Sequence, residues 1–184
     1  MLRTRIIPAL LLNDESLVKT SHFDKFTYVG DPCNTVRIFN ELEVDELLFL
    51  DITATKEKRP PNYKVLHDIA SECFMPLAYG GGVCEFNQAK KIFEIGIEKI
   101  AINSHVVKNT DLLTKLSEYF GAQAIISSID VRKDSWGKYE VWTHGGSQKS
   151  GHNPVEWAQE VVSAGAGEIL LTSINREGSW EGFD

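Results

Sequence analysis

Arg5-Ile-Ile-Pro-Ala-Leu-Leu11 and Ala124-Ile-Ile-Ser-Ser-Ile-Asp130 are one apolar run written twice, as are Asp45-Glu-Leu-Leu-Phe-Leu-Asp51 and Gly167-Glu-Ile-Leu-Leu-Thr-Ser173. The two pairs lie at nearly the same offset, so the sequence repeats with a long period. Runs of this kind stand at Ile6–Leu12, Glu46–Ile52, Met75–Tyr79, Lys99–Asn103, Ala124–Asp130 and Glu168–Ile174. Each is short and continuous rather than alternating, the mark of a strand buried on both faces. Helical spacing between them predicts helices over Asn34–Leu42, Tyr63–Cys73, Glu85–Ile95, Asn109–Phe120 and Pro154–Ala164, with Asn109 and Asn153 as N-caps and Pro154 at the first helical position. A hairpin-like insertion, Lys133–Trp142 around Trp136-Gly137, follows the fifth strand.

Strand alternating with helix implies parallel βαβ units. A repeat unit of about four such modules selects a (β/α)8 barrel over an open doubly wound sheet. That fold typically takes ~250 residues. The 184 residues here supply about six modules, so the expectation is one α/β domain over 1–184, of the TIM barrel family, with modules seven and eight absent. Such a chain is either a fragment or a barrel that needs a partner, and open edges at its first and sixth strands would invite association.

Composition excludes several classes. With 42% hydrophobic and 24% charged residues the chain is neither disordered nor membrane-spanning. Nineteen basic against 26 acidic residues give a net charge of −7, the wrong sign for general attraction to nucleic acid or anionic lipid. Cys33, Cys73 and Cys84 form no C-x-x-C pair and are odd in number, which reads as a reducing cytoplasm. Arg3 and Arg5 precede the run Ile6–Leu12, but that run is short, contains Pro8 and lacks a small-residue cleavage site, so it is a strand and not a signal peptide.

In a parallel barrel, ligands meet the ends of strands and the loops that follow. That position nominates Lys19, Asp51, Gly80-Gly81-Gly82, Asn103-Ser104, Asp130 and Asn175-Arg176-Glu177-Gly178. Gly81 and Gly82 offer bare backbone amides to a phosphate at the next helix start, and Asn103 and Ser104 add side-chain donors one strand over. A tight βα turn is the plain alternative. Asp130 ends an apolar strand, where desolvation raises a carboxyl pKa and suits it to proton transfer; a turn-capping carboxylate is the alternative. At the other end of the strands, Arg5, Glu46, Lys99 and Glu168 can converge as two cations and two anions, which by themselves read as a self-neutralising plug. No metal or cofactor is expected.

These residues resemble a known family. Arg5-Ile-Ile-Pro8, Gly30-Asp-Pro32, Glu46-Leu-Leu-Phe-Leu-Asp-Ile-Thr-Ala54, Gly80-Gly-Gly82, Ile102-Asn103, Gly121-Ala-Gln-Ala124 and Gly165-Ala-Gly-Glu-Ile-Leu-Leu-Thr-Ser-Ile174 resemble, in order and over the whole chain, the cyclase subunit of imidazole glycerol phosphate synthase, HisF. The resemblance implies a barrel that takes ammonia from a glutaminase (HisH-like) on its N-terminal face and uses it at the C-terminal face on a substrate with two phosphate ends. It makes the four-charge ring an ammonia gate. It gives Lys19 a place in the first loop, Gly82, Asn103 and Ser104 one phosphate site, and Asp130 one of two acid–base carboxylates. The second carboxylate should end the first strand, where this chain has Leu11. The loop after strand six, Asn175-Arg176-Glu177-Gly178, carries Glu177 where the family has aspartate.

Three functions of different kind follow. One is a HisF-type synthase making imidazole glycerol phosphate in histidine biosynthesis. Another is an ammonia-channelling HisF-like subunit for sugar amidation in surface-polysaccharide synthesis. The third is a non-catalytic activator of the glutaminase. A leucine in place of a general acid or base removes a contribution of ~10²–10⁴-fold, so Leu11 weighs against the first.

Overall fold

The computed structural model describes residues 4–184, so Arg3 lies outside it. Six strands form the parallel sheet: β1 (Ala9–Asn13), β4 (Leu47–Asp51), β5 (Leu77–Gly80), β6 (Lys99–Ile102), β7 (Ile125–Lys133) and β10 (Glu168–Ser173). They pair in that order, all parallel. Among the described residues β1 and β10 do not pair, so the sheet is curved but not closed.

The helices are α1 (Pro32–Glu41), α2 (Ala54–Glu57), α3 (Tyr63–Glu72), α4 (Phe86–Glu94), α5 (Asp111–Phe120) and α6 (Pro154–Ser163). Their starts follow from local chemistry. Asp31 and Asn153 accept hydrogen bonds from the first free amides of α1 and α6, each followed by a proline whose missing N–H costs nothing there. Glu85 and Gln88 form a reciprocal capping box on α4. At α5 the cap is Thr110 rather than Asn109, because the Asn109 side chain turns to accept from the Asp111 amide at 2.8 Å.

Two antiparallel arms extend the sheet. After β1 the chain returns as β2 (Ser16–Ser21) and β3 (Asp24–Gly30); after β7 it returns as β8 (Tyr139–Thr143) and β9 (Gln148–Lys149). The second arm contains the expected Lys133–Trp142 hairpin. The first was not expected, and it extends the internal repeat from strands to their arms.

Strand parity divides the core in two. Leu47, Phe49, Leu77, Tyr79, Ile100, Ile102, Ile125 and Ile129 face the helices and pack with Leu66, Ile69, Ile92, Leu113 and Trp157. Residues one position along face inward, where Leu48, Ala78, Ala101 and Ile126 form a small second cluster with Ile7, Leu50 and Leu170. Full burial of each large side chain contributes about 1.5–3 kcal/mol, so the helix-facing layer dominates stability. No helix among the described residues is long and apolar enough to cross a membrane.

Candidate functional site

The inward positions carry the polar residues to both mouths of the sheet. Below the apolar cluster, Arg5 Nη1 donates to Glu46 Oε2 at 2.9 Å and Nη2 to Glu168 Oε1 at 3.0 Å, while Lys99 Nζ donates to the same two oxygens at 2.8 and 2.9 Å. Cation and anion alternate around a closed ring. Glu46 is almost fully buried at 3% exposure, whereas Arg5 is half in solvent. Burial would raise the Glu168 carboxyl, but the hydrogen bonds from Lys99 and Arg5 outweigh it and hold the carboxyl below its ordinary range.

Above the apolar cluster lies a cavity of about 670 Å³ lined by Leu11, Gly81, Gly82, Asn103, Ser104 and Asp130 among others. Asp130 is a buried titratable group in its wall. Burial pushes its pKa up to about 7, opposed by one hydrogen bond from Asn103 Nδ2 to Oδ2 at 2.7 Å. Among the described residues no cation contributes to reverse that shift. Asn103 Oδ1 is buried without a partner, a spare acceptor beside the carboxyl. Leu11 lines the same cavity from β1, where the repeat places it opposite Asp130.

The glycine triplet is held from two sides. Tyr79 Oη donates to the Gly81 carbonyl at 3.0 Å, and Gly82 (φ +69°) sits where a Cβ would come within 2.7 Å of the Arg59 carbonyl oxygen. Only glycine fits that approach and that backbone angle. Ser104 Oγ accepts from the His144 amide at 2.8 Å, which leaves its own O–H free to donate.

Other nominated residues are already engaged. Asp51 lines the cavity, but its carboxylate receives Arg59 Nη1 and Nη2 at 2.8 and 2.9 Å and caps α2 through the amides of Thr53 and Ala54. Glu177 accepts from Thr20 Oγ1 at 2.7 Å and from the Phe23 amide at 3.0 Å, so it staples the β2–β3 turn to the loop after β10. Gly178 packs on the Thr20 carbonyl in the same contact and does not line the cavity. Lys19 is exposed on β2 with its ammonium 5.6 Å from the centre of the Trp180 ring, also off the cavity wall. Lys19 and Gly178, both nominated for the ligand site, thus stand off the cavity wall, the first exposed on β2 and the second packed on the Thr20 carbonyl.

Sequence reading missed Arg59, His144 and Lys56 on the cavity wall. The ion pair between Asp51 and Arg59, eight residues apart, was a findable signal; the approach of β8–β9 to Ser104 was not.

The family described as "Histidine biosynthesis protein" matches residues 5–184. Among curated proteins, one of Pseudomonas aeruginosa, provisionally named imidazole glycerol phosphate synthase subunit hisF2, is 47% identical over the full chain and 73% of its own length. The HisF subunit of imidazole glycerol phosphate synthase from Streptococcus sanguinis is 40% identical over the same shares.

The chain belongs to the HisF family.

The family's (β/α)8 barrel accounts for the curved parallel sheet and the inward stacking, and six of its modules are seen here. The chain is therefore a HisF-type subunit related to imidazole glycerol phosphate synthase and to histidine biosynthesis.

Proposed function

We propose that this HisF-type chain is the ammonia-using half of a glutamine-dependent pair working in the cytoplasm. A glutaminase docks at the strand starts, ammonia passes the ring of Arg5, Glu46, Lys99 and Glu168, and a phosphorylated ribosyl substrate receives it in the cavity to yield imidazole glycerol phosphate. One observation carries this reading: a hydrogen-bonded polar ring and Asp130 stand at opposite ends of a single inward-facing stack, with apolar side chains between.

Each group has a role. Asn103 Oδ1 accepts a hydrogen bond from ammonia and so aims the nitrogen lone pair at the substrate. Asp130, poised near neutrality, takes up the proton that the attacking nitrogen sheds and returns it during ring closure. Gly81, Gly82 and Ser104 hold a phosphate with amides and a hydroxyl. Lys19 and Glu177 join only when the β2–β3 arm releases from the β10 loop. We read residues 1–184 as one domain of a barrel whose remaining modules complete the second phosphate site.

Leu11 favours a second reading, in which ammonia leaves the cavity for a separate sugar-amidating enzyme. The test is imidazole glycerol phosphate formation by the chain paired with a triad-class glutaminase, wild type against Leu11→Asp. Slow product formation that rises roughly 10–100-fold in Leu11→Asp supports the first reading. Stimulated glutamine hydrolysis without product in either protein supports the second. Failure to stimulate glutamine hydrolysis at all overturns both.

A further inference from the structure

Tyr79 belongs to the helix-facing layer and is 1% exposed, yet its hydroxyl ends on the glycine triplet, where it donates to the Gly81 carbonyl at 3.0 Å. It does not line the cavity, whereas Gly80, Gly81, Gly82 and Val83 do. Burial, and then the Asp51 carboxylate, push the phenol pKa well above its ordinary value against the opposing charge of Arg59, so the hydroxyl stays protonated and remains a donor. Tyr79 therefore acts on backbone and not on a ligand.

The peptide it holds has two available directions. Gly81 and Gly82 have φ of +125° and +69°, and glycine takes positive and negative φ about equally. Turning the Gly81–Gly82 peptide over thus costs little locally. No side chain can remove that freedom, because a Cβ at Gly81 would strike the Asp51 carbonyl oxygen and one at Gly82 the Arg59 carbonyl oxygen. The direction has to be set by a partner. The peptide is trans, so its carbonyl and its amide point opposite ways. With the Gly81 carbonyl held by Tyr79 on the helix side, the Gly82 N–H turns to the cavity side, and among the described residues it meets no hydrogen-bond acceptor. The reversed peptide puts a carbonyl oxygen on that wall, where it repels an anion.

We infer that Tyr79 is a positioning residue for the anion site: by holding the Gly81 carbonyl on the helix side it presents the Gly82 N–H to a phosphate. The inference rests on the phosphate-cradle reading given above.

The test is a titration of the full chain with inorganic phosphate followed by amide NMR, with wild type set against Tyr79→Phe and Tyr63→Phe. Tyr79→Phe keeps the ring and its packing and removes only the donor. A carbonyl left without that donor on the helix side favours the reversed peptide by about fivefold, and only the remaining fraction binds anion, so phosphate affinity should fall by about the same factor. The Gly82 amide resonance should already differ from wild type in phosphate-free Tyr79→Phe. Tyr63→Phe, which removes another half-buried hydroxyl at the start of α3, should leave both readings as in wild type. Wild-type affinity in Tyr79→Phe, a loss of affinity with no change at Gly82 before phosphate is added, or an equal loss in Tyr63→Phe overturns the role of Tyr79 while the cradle stands. Failure of the wild type to bind phosphate overturns the cradle and this inference with it.

Discussion

The two mouths of this sheet solve the same problem in opposite ways. Both collect charged, inward-facing side chains at the ends of the same strands. At the strand starts every charge meets an opposite one, and the four close into a ring. At the strand ends Asp130 meets only a neutral amide, and its proton affinity rises to that of a group working near neutral pH. Matched charges make a rigid port, whereas an unmatched charge makes a reactive group. The position of a carboxylate on a strand does not set its role; its partners do.

The sharpest way to break this comparison is Asp130→Asn, which keeps shape and removes titration. Product formation from free ammonia should fall by about 10²–10⁴-fold with little change in phosphate binding. A rate unchanged within a factor of a few would deny Asp130 its role.

The mouths also respond to pH with opposite sign. Asp130 has a folded pKa near 7 against an ordinary value near 4, so the folded state holds a proton that the unfolded state has lost. Its contribution is fully present below about pH 4 and declines by up to about 4 kcal/mol as pH rises through 7. Glu168, held below its ordinary range, stabilises above that range and loses its contribution as pH falls through its folded pKa. Denaturant titrations from pH 4 to 8 should show the first slope in wild type and its loss in Asp130→Asn; an unchanged slope would assign it elsewhere.

Removing one anion from the ring leaves cations unpaired at a buried site. Glu46→Ala should lower stability by about 3 kcal/mol, read from urea midpoints. Lys99→Glu should instead separate two activities, lowering glutamine-dependent turnover and sparing the ammonia-dependent rate. Equal loss in both would make the ring a structural plug. The smallest effect is expected at the staple: Glu177→Ala removes two hydrogen bonds to the β2–β3 turn and should cost about 1 kcal/mol, with faster amide exchange at Phe23. Unchanged exchange would show that the turn is held by other contacts.

Strand order, helix order and the ring were all legible in the sequence. Short continuous apolar runs and helical spacing locate the elements, and the first inward residue of each strand is fixed by parity. The β2–β3 arm was not legible, because β3 is exposed along nearly its whole length and has no alternation. Its turn gives no glycine signal either: His22 and Phe23 take positive φ instead. The contacts of Gly178 and Lys19 were not legible for the same reason, since both belong to or pack on that arm.

What the sequence by itself determined is therefore periodic and local: six parallel strands, their helices, the cap at Asn153 with Pro154 at the first helical position, and the repeat that sets Leu11 against Asp130. Only the tertiary structure decided which polar groups are spent and which are free. Asp51 is neutralised by Arg59, Glu177 is consumed by the arm, and Asp130 is left with Asn103 alone. The reason is physical: a side chain's place on an element follows from the repeat of its own backbone, but its charge state follows from desolvation and from partners that chain distance does not encode.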